Sequence, residues 1–370
     1  MVPSIREGNV TVNLAEGVFY NPNMEFSRDI SSLAISSIPE RLAICDGMSA
    51  SGIRGIRYIK ENSNVEDITF VDMDKAAVDY VKENLQLNGV KAEVVEDDIN
   101  HFLYRGGKRF NFVELDPFGS PVPFTRSALL NLRASKTGYL SVTATDTAVL
   151  CGANPKACQI YYNSRPLHNS VCHEAGIRIL LSHIARIASP LRLGIEPVIS
   201  LSKRHYMKVI VKVKKDAKSA FDSVKKLGFV SFCPQCFTTR TETGPFLGKI
   251  CSFCGHQTDW GGPMWISNLH SSENLGRMLA ENKNRAYSNR LELSRTIQLM
   301  QQEDSFPPFY FDIHAIVDRI KLSPPKFDTV IDALVSKGYS VGRTHFSVTS
   351  IKTDAPASEV VAAIKGAGKA

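Results

Sequence analysis

The sequence predicts an α/β protein: a doubly wound parallel sheet, then a four-cysteine module, then a smaller α+β domain. Three observations carry this. Short apolar runs alternate with helical periodicity through the first half, two Cys-x-x-Cys pairs stand close together in the second half, and a helix–turn–helix–hairpin pattern lies near the end. Strands alternating with helices fold as crossover units, and such sheets bind ligands outside the carboxyl ends of their strands. The 370 residues are 43% hydrophobic and 22% charged, enough to bury a large core without staples. No apolar run approaches the ~18 residues of a spanning helix, and the first residues lack the basic-then-apolar order of a signal peptide. These features exclude a membrane protein, a disulfide mini-scaffold and a disordered chain, and the expected location is cytoplasmic. Lys and Arg number 44 against 37 Asp and Glu, and the net charge of +7 raises a polyanionic partner without naming one.

The elements follow in order. Arg41 to Cys45 reads as the first strand and runs into Asp46-Gly47-Met48-Ser49-Ala50-Ser51-Gly52, with a helix through Tyr58 and Ile59. The second strand, Asp67 to Val71, ends at Asp72. A helix from Lys75 to Leu87 carries Val78, Val81 and Leu85 on one face and stops at Asn88-Gly89. Ala92 to Val95 closes on Glu96, Asp97 and Asp98; Phe110 to Leu115 closes on Asp116-Pro117-Phe118-Gly119; Gly138 to Thr143 is a fifth strand. The helix Ala175 to Ala188 has a broad apolar face, and Ile195 to Ser200 with Met207 to Val213 form a late pair of strands.

Acids therefore stand at four strand ends: Asp46, Asp72, Asp98 and Asp116. A glycine-rich loop after the first strand lets backbone approach a ligand, and an acid ending the second strand can accept both hydroxyls of a ribose. That signature suits NAD as well as S-adenosylmethionine. Gly47, Gly52 and Gly55 do not make Gly-x-Gly-x-x-Gly, and no Gly-Lys-Ser/Thr follows, which disfavours a triphosphate loop. A sulfonium cofactor needs no phosphate cradle and fits an acidic pocket better.

Asp116-Pro117-Phe118 is the sharper signal. The exocyclic amine of a nucleobase is a poor nucleophile because its lone pair is delocalised into the ring. A carboxylate accepting one N–H and a carbonyl accepting the other orient that nitrogen, and the carboxylate can take the departing proton. Proline gives a rigid backbone with a free carbonyl, and the next aromatic can stack on the base. The tripeptide resembles the Asp/Asn-Pro-Pro-Tyr/Phe motif of base amino-methyltransferases. The same residues could instead form a β-turn capped by Asp116, with Phe118 in the core.

Of eight cysteines, Cys45, Cys151, Cys158 and Cys172 are scattered and read as small buried hydrophobes. The others form Cys233-Pro234-Gln235-Cys236, fourteen residues, then Cys251-Ser252-Phe253-Cys254. Two such knuckles suit tetrahedral zinc, each presenting two sulfurs on one turn. A redox pair or two disulfides are the alternatives, but both knuckles sit in loop-like sequence. The expected zinc is structural.

Nine Lys/Arg and two Asp fall between Lys203 and Lys226; Lys208, Lys212 and Lys214 fit the outer side of a strand and are candidate phosphate contacts. Helical sequence from Glu273 to Glu303 packs between the lobes. A helix from Ile313 to Ile320 is followed by a second, with Ser323 as N-cap, Phe327, Val330, Ile331, Leu334 and Val335 as its stripe, and Gly338 as its stop. Tyr339 to Ile351 reads as a hairpin. The pattern resembles a winged helix, with Arg343, His345 and Lys352 as candidate RNA contacts.

Taken together, Phe19-Tyr20-Asn21-Pro22, Asn23 through Arg28-Asp29, Asp46 to Gly55, Asp116 to Gly119, Val142 to Asp146, Cys151-Gly152-Ala153, Arg343 to Ser347 and Ile351 to Thr353 follow the order seen in the tRNA guanine-26 N2-dimethyltransferases. The resemblance spans nearly the whole chain and is of archaeal type. It implies a class I S-adenosylmethionine-dependent, Rossmann-like methyltransferase domain, and transfer of two methyl groups to N2 of guanine 26 in tRNA. It places Arg28 on the cofactor's carboxylate with Phe19 beside it, Arg54 near the methionine moiety, Asp72 on the ribose, and Asp98 with Ile99 near the adenine, Asp97 being the alternative acid. Asp116 becomes the proton acceptor and Phe118 the stacking platform, with the Pro117 carbonyl as the motif's second hydrogen-bond acceptor. The loop Asp46-Gly47-Met48-Ser49-Ala50-Ser51 departs from the form closer to Asp-Ala-Leu-Ser-Ala-Thr, a change of size and not of chemistry. The expected divisions are a catalytic domain at 1–228, a zinc module at 229–262 and a winged-helix-like tRNA-binding domain at 263–370. Competing readings are a methyltransferase for another RNA guanine or base amine, and a non-enzymatic zinc-containing nucleic-acid binder.

Overall fold

Near-continuous apolar runs, such as Ile68 to Val71 and Phe112 to Leu115, suit strands covered on both faces, and the computed structural model builds the central sheet from them. It describes residues 4–14, 17–244 and 248–368. Seven strands form the sheet: β1 (Leu42–Gly47), β2 (Val65–Asp72), β3 (Glu93–Glu96), β4 (Phe112–Leu115), β5 (Thr137–Ala144), β6 (Leu193–Lys203) and β7 (Tyr206–Lys215). Their order is β3-β2-β1-β4-β5-β7-β6. The first five run parallel, and β7 pairs antiparallel with both β5 and β6. The chain winds outward from β1 in one direction and from β4 in the other. The switch between β1 and β4 opens a crevice at the carboxyl ends of the strands.

Helices α1 (Glu25–Ser36), α2 (Ile53–Glu61), α3 (Lys75–Leu87), α4 (Ile99–Arg105), α5 (Val122–Leu132) and α6 (Cys172–Ala188) cover the sheet. Asp74 caps α3 by accepting from Ala76 N, and Asp98 caps α4 by accepting from His101 N. Gly55 lets α2 sit against β1 and β2: a Cβ there would stand 2.4 Å from Phe70 and 2.6 Å from the Asp46 carboxylate. In α6, Ile177, Ile179, Leu180, Leu181 and Ile184 are all fully buried, each stabilising the fold by roughly 1.5–3 kcal/mol.

The four cysteines sit on a three-stranded sheet of Leu227–Phe232, Thr239–Glu242 and Asp259–Trp265. It is stitched to the preceding segment by paired backbone bonds between Arg165 and Gly262. Helices Ser272–Asn282 and Arg290–Glu303 then pack along α1. The second leads into strand Phe311–Asp312, helices Ile313–Ile320 and Phe327–Val335, and strands Val341–Arg343 and Ser350–Thr353, with helix Ala357–Ala367 at the end. The short first strand pairs with the last, which also pairs with the middle one. This is the winged-helix order, and it begins one helix and one strand earlier than the sequence pattern indicated. Among the described residues no helix is long and apolar enough to cross a membrane.

Three local expectations need correction. Ser323 does not cap a helix: the helix starts at Phe327 with Lys326 before it, because Pro325 disfavours helical backbone at Pro324. Arg343, His345 and Lys352 are not presented to solvent as a set. Lys352 is buried on Glu174 at 2.9 Å, the His345 ring is buried on Glu303 at 2.8 Å, and Arg343 pairs with Asp328 at 2.9 Å. The strand β7 lysines are likewise engaged: Lys208 is fully buried against Glu114, Lys212 meets Glu40 at 3.1 Å and Lys214 meets Glu196 at 2.8 Å. Strand β7 lies inside the sheet and not at its edge; Lys208 answers a buried carboxylate there, while Lys212 and Lys214 pair with the partly exposed Glu40 and Glu196.

Candidate active site

A cavity of about 900 Å³ opens at the carboxyl ends of β1 to β4. It is lined by every residue the sequence nominated for cofactor or catalysis: Phe19, Arg28, Arg54, Asp72, Asp98, Ile99, Asp116, Pro117 and Phe118. Asp97 lines it too, although its carboxylate is engaged by the His101 ring at 2.7 Å.

The loop after β1 is held in an unusual form. Met48 and Ala50 both have positive φ, 61° and 47°, in the left-handed region that side chains disfavour, and Gly52 follows at 73°. Strain of this kind persists where surrounding bonds over-determine it. Here Met48 N donates to Val71 O at 2.8 Å, and Ala50 N donates to Asp72 Oδ2 at 2.8 Å. Asp72 Oδ1 accepts from Asp74 N at 3.0 Å. Asp72 thus fixes the loop and keeps lone pairs toward the cavity. Asp46 is buried below the loop and accepts from Gly55 N at 3.0 Å. Burial, with Glu114 adding to it and Arg54 opposing, pushes its carboxyl up to about 7.

At the end of β4, Arg54 Nη2 bonds Asp116 Oδ2 in a largely buried ion pair. Burial opposes ionisation of Asp116, but the Arg54 and Lys208 charges beside it hold its carboxyl below the usual range. Among the described residues no donor reaches the Pro117 carbonyl. The turn is fastened to β5 by Gly119 N donating to Thr145 Oγ1 at 2.7 Å and Thr145 N donating to Gly119 O at 3.0 Å. Phe118 is 77% exposed and meets the half-exposed Phe19 edge to face, ring centroids 4.6 Å apart. An open aromatic pair at a cavity mouth is spare apolar surface, and such surface marks ligand sites. Phe118 is therefore not a core residue.

The two arginines are buried and not surface cations. Arg28 donates from Nε to Glu7 at 2.7 Å and from Nη2 to Asn21 O at 3.1 Å. Glu7 in turn is shared with Arg57, whose other partners are Asp29 at 2.7 Å and Glu61 at 2.9 Å. This network fixes the N-terminal hairpin of strands Ser4–Glu7 and Val10–Asn13, together with α1 and α2, around the cavity. Below the site, Glu114 takes Lys208 on Oε1 and the Tyr58 hydroxyl on Oε2 at 2.8 Å. The sequence pattern did not reveal Glu114 and Lys208 as a pair: they lie 94 residues apart.

The cysteines form a second, separate arrangement. All four sulfurs lie within 4.8 Å of one another, with Cys233 to Cys254 at 3.4 Å and Cys236 to Cys251 at 3.6 Å. These distances are far beyond an S–S bond and close to the ~3.8 Å edge of a tetrahedron with Zn–S near 2.3 Å. The two knuckles repeat one another. Phe237 N donates to Cys233 O and Cys233 N to Thr238 O; Gly255 N donates to Cys251 O and Cys251 N to His256 O. Cys233, Cys236, Cys251 and Cys254 thus have the donor set and spacing that would hold a structural zinc ion. Cys45 and Cys158 are buried as expected, whereas Cys151 and Cys172 are only half-buried.

A family profile described as TRM, N2,N2-dimethylguanosine tRNA methyltransferase, matches residues 2–365. The chain belongs to this family. A tRNA (guanine(26)-N(2))-dimethyltransferase of Methanothermobacter thermautotrophicus is 34% identical, with 98% of each chain covered. One of Pyrococcus furiosus is 37% identical, covering 92% of this chain and 90% of its own. Among solved structures, Trm1 from Pyrococcus horikoshii in complex with S-adenosyl-L-methionine superposes with a TM-score of 0.89 at 32% identity, covering 98% of this chain and all of that one. The family membership and the strand order agree: this is a Rossmann-like methyltransferase sheet carrying a four-cysteine module and a winged-helix-like C-terminal part.

Proposed function

We propose that this chain transfers two methyl groups in succession from S-adenosylmethionine to the exocyclic N2 of guanine 26 in tRNA. The observation that carries the reading is the meeting of Asp116-Pro117-Phe118 with the acidic ends of β2 and β3 in one cavity. Family membership and the activity for which the relatives are named support it. The cavity fits the cofactor by its chemistry: Asp72 keeps acceptors for ribose hydroxyls, Ile99 gives an apolar wall for adenine, and Asp98 and Asp97 stand at its edge. Arg28, with Nε and Nη2 engaged, has Nη1 for a carboxylate, and Phe19 closes that side.

When bound, S-adenosylmethionine supplies an electrophilic methyl group on a sulfonium. The protein's part is orientation and proton transfer. Arg54 holds Asp116 by Oδ2, so Oδ1 faces the amine. Oδ1 and the Pro117 carbonyl accept its two N–H groups and turn the nitrogen lone pair toward the methyl. Phe118 stacks on the purine and Phe19 meets it from the edge. A newly methylated N2 would be cationic and strongly acidic until it loses a proton, so even a carboxylate held below its usual range is a sufficient acceptor. After one transfer, a single N–H remains, and Asp116 must take the second proton as well.

Residues 1–228 carry this chemistry, residues 229–262 form the zinc module, and residues 263–370 hold the RNA. With His345 and Lys352 buried and Arg343 paired with Asp328, the exposed Lys321 and Lys326 beside the second short helix are the better phosphate contacts. The test is incubation of the protein with labelled S-adenosylmethionine and unmodified tRNA, followed by nucleoside analysis. Dimethylguanosine from wild-type tRNA, and none from tRNA with adenine at position 26, is the expected result. Label on another base, or none, overturns the reading.

A further inference from the structure

Cys151, Cys172 and His173 lie outside the methyl-transfer cavity and outside the four-cysteine module, yet one ligating atom of each falls within 4.8 Å of the others. Cys151 Sγ stands 3.6 Å from His173 Nδ1. A tetrahedral zinc ion with sulfur near 2.3 Å and nitrogen near 2.0–2.1 Å has an S···N edge of about 3.6 Å. A thiol–imidazole hydrogen bond accounts for that one contact, but it does not account for a second thiol converging on the same point.

The backbone presenting these atoms is well anchored. Cys151 N donates to Thr147 O at 2.8 Å, and the Cys151 carbonyl is held by the His168 ring at 3.0 Å. Cys172 opens the 17-residue α6, where a thiolate is favoured by the helix terminus. The residue after His173, Glu174, is buried among Arg178, Lys352 and Phe309 N. The three side chains are all half-buried, which leaves room for a solvent ligand in the fourth position.

We propose that Cys151, Cys172 and His173 form a second zinc site, independent of the four-cysteine module, with its fourth position open to solvent. The ion would join α6 to the segment that leaves β5. That segment starts at Thr145, which is bonded to Gly119 beside Phe118, so the site braces the wall of the cavity that carries the aromatic platform.

The test is metal stoichiometry of the full chain, purified from zinc-supplemented cells and measured by inductively coupled plasma mass spectrometry. Cys172→Ser and His173→Gln are each expected to bind one equivalent fewer than wild type, whatever the four-cysteine module holds. Wild-type zinc content in both variants overturns the proposal. A second readout needs no variant: residue-resolved alkylation of the wild-type chain before and after chelation. Cys151 and Cys172 should be protected by zinc and labelled once it is removed. Equal labelling in both states, or recovery of the two as a disulfide in the untreated chain, contradicts the site.

Discussion

The Glu114–Lys208 pair beneath Asp116 offers a perturbation whose size follows from the structure. Both side chains are fully buried. Glu114 has the Tyr58 hydroxyl as its other partner, and Lys208 has Thr143 Oγ1 at 3.2 Å. Lys208→Met removes one charge and leaves the Glu114 carboxylate buried with a single neutral donor. Breaking a buried pair in this way costs about 3–5 kcal/mol, a fall in melting temperature on the order of 5–15 °C. The double variant Glu114→Gln/Lys208→Met removes both charges and keeps an acceptor for Tyr58. It should lie within roughly 1–2 kcal/mol of wild type, because the desolvation of two ions is relieved together. Urea unfolding of wild type, both single variants and the double variant closes the cycle. The single variant has a second expected effect. Lys208 is one of the charges holding Asp116 low, so its loss moves the acid limb of the pH–rate profile upward. A single variant costing under about 1 kcal/mol, or a double variant as unstable as the single, would refute the reasoning.

Two further predictions follow from the cavity and one from the C-terminal lysines. Asp72→Ala removes the ribose acceptor and the anchor of Ala50, and should weaken S-adenosylmethionine binding on the order of 10²-fold by calorimetry; unchanged affinity places the ribose elsewhere. Asp46 has its native carboxyl raised to about 7 from an ordinary 3.8. Its contribution is therefore fully present at low pH and lost as pH rises between those values, by up to about 1.4 kcal/mol per pH unit. Asp46→Asn should flatten the fall in urea stability between about pH 5 and about pH 7, and a slope equal to wild type counts against the buried acid. Binding of tRNA should weaken steeply with added salt, and Lys321→Ala/Lys326→Ala should reduce the slope of log affinity against log salt by up to about 2; a salt-independent affinity removes the proposed handle.

Much of the catalytic half was legible because its signals are local. Buried parallel strands read as short apolar runs, each ending in an acid or a glycine-rich turn, and those ends are where the fold places its cleft. The cysteine knuckles were legible for the same reason, since each pair of sulfurs is set by one turn. What the sequence hid is long-range pairing. Lys208 looked like an outer-face cation because nothing nearby in the chain marks Glu114, and Lys352 looked like an RNA contact because Glu174 lies 178 residues away. His345 answers Glu303 across 42 residues. Arg54 was placed by resemblance near the methionine moiety, while its hold on Asp116 depends on how α2 meets β4. Cys151 and Cys172 read as small buried hydrophobes, and only the fold brings Cys151 to the adjacent pair Cys172 and His173. The winged-helix order was half-seen because its first strand, Phe311–Asp312, is two residues long and carries too little pattern to register.

Asp116→Ala, assayed in parallel for cofactor affinity and for single-turnover methylation of unmodified tRNA, bears most directly on the chemistry. Loss of the carboxylate removes both an orienting acceptor and the proton sink, and the rate should fall by at least about 10²–10⁴-fold while the Kd for S-adenosylmethionine stays near wild type. Near-normal methylation by this variant would contradict the account, because the amine would then be aligned and deprotonated by something other than the end of β4.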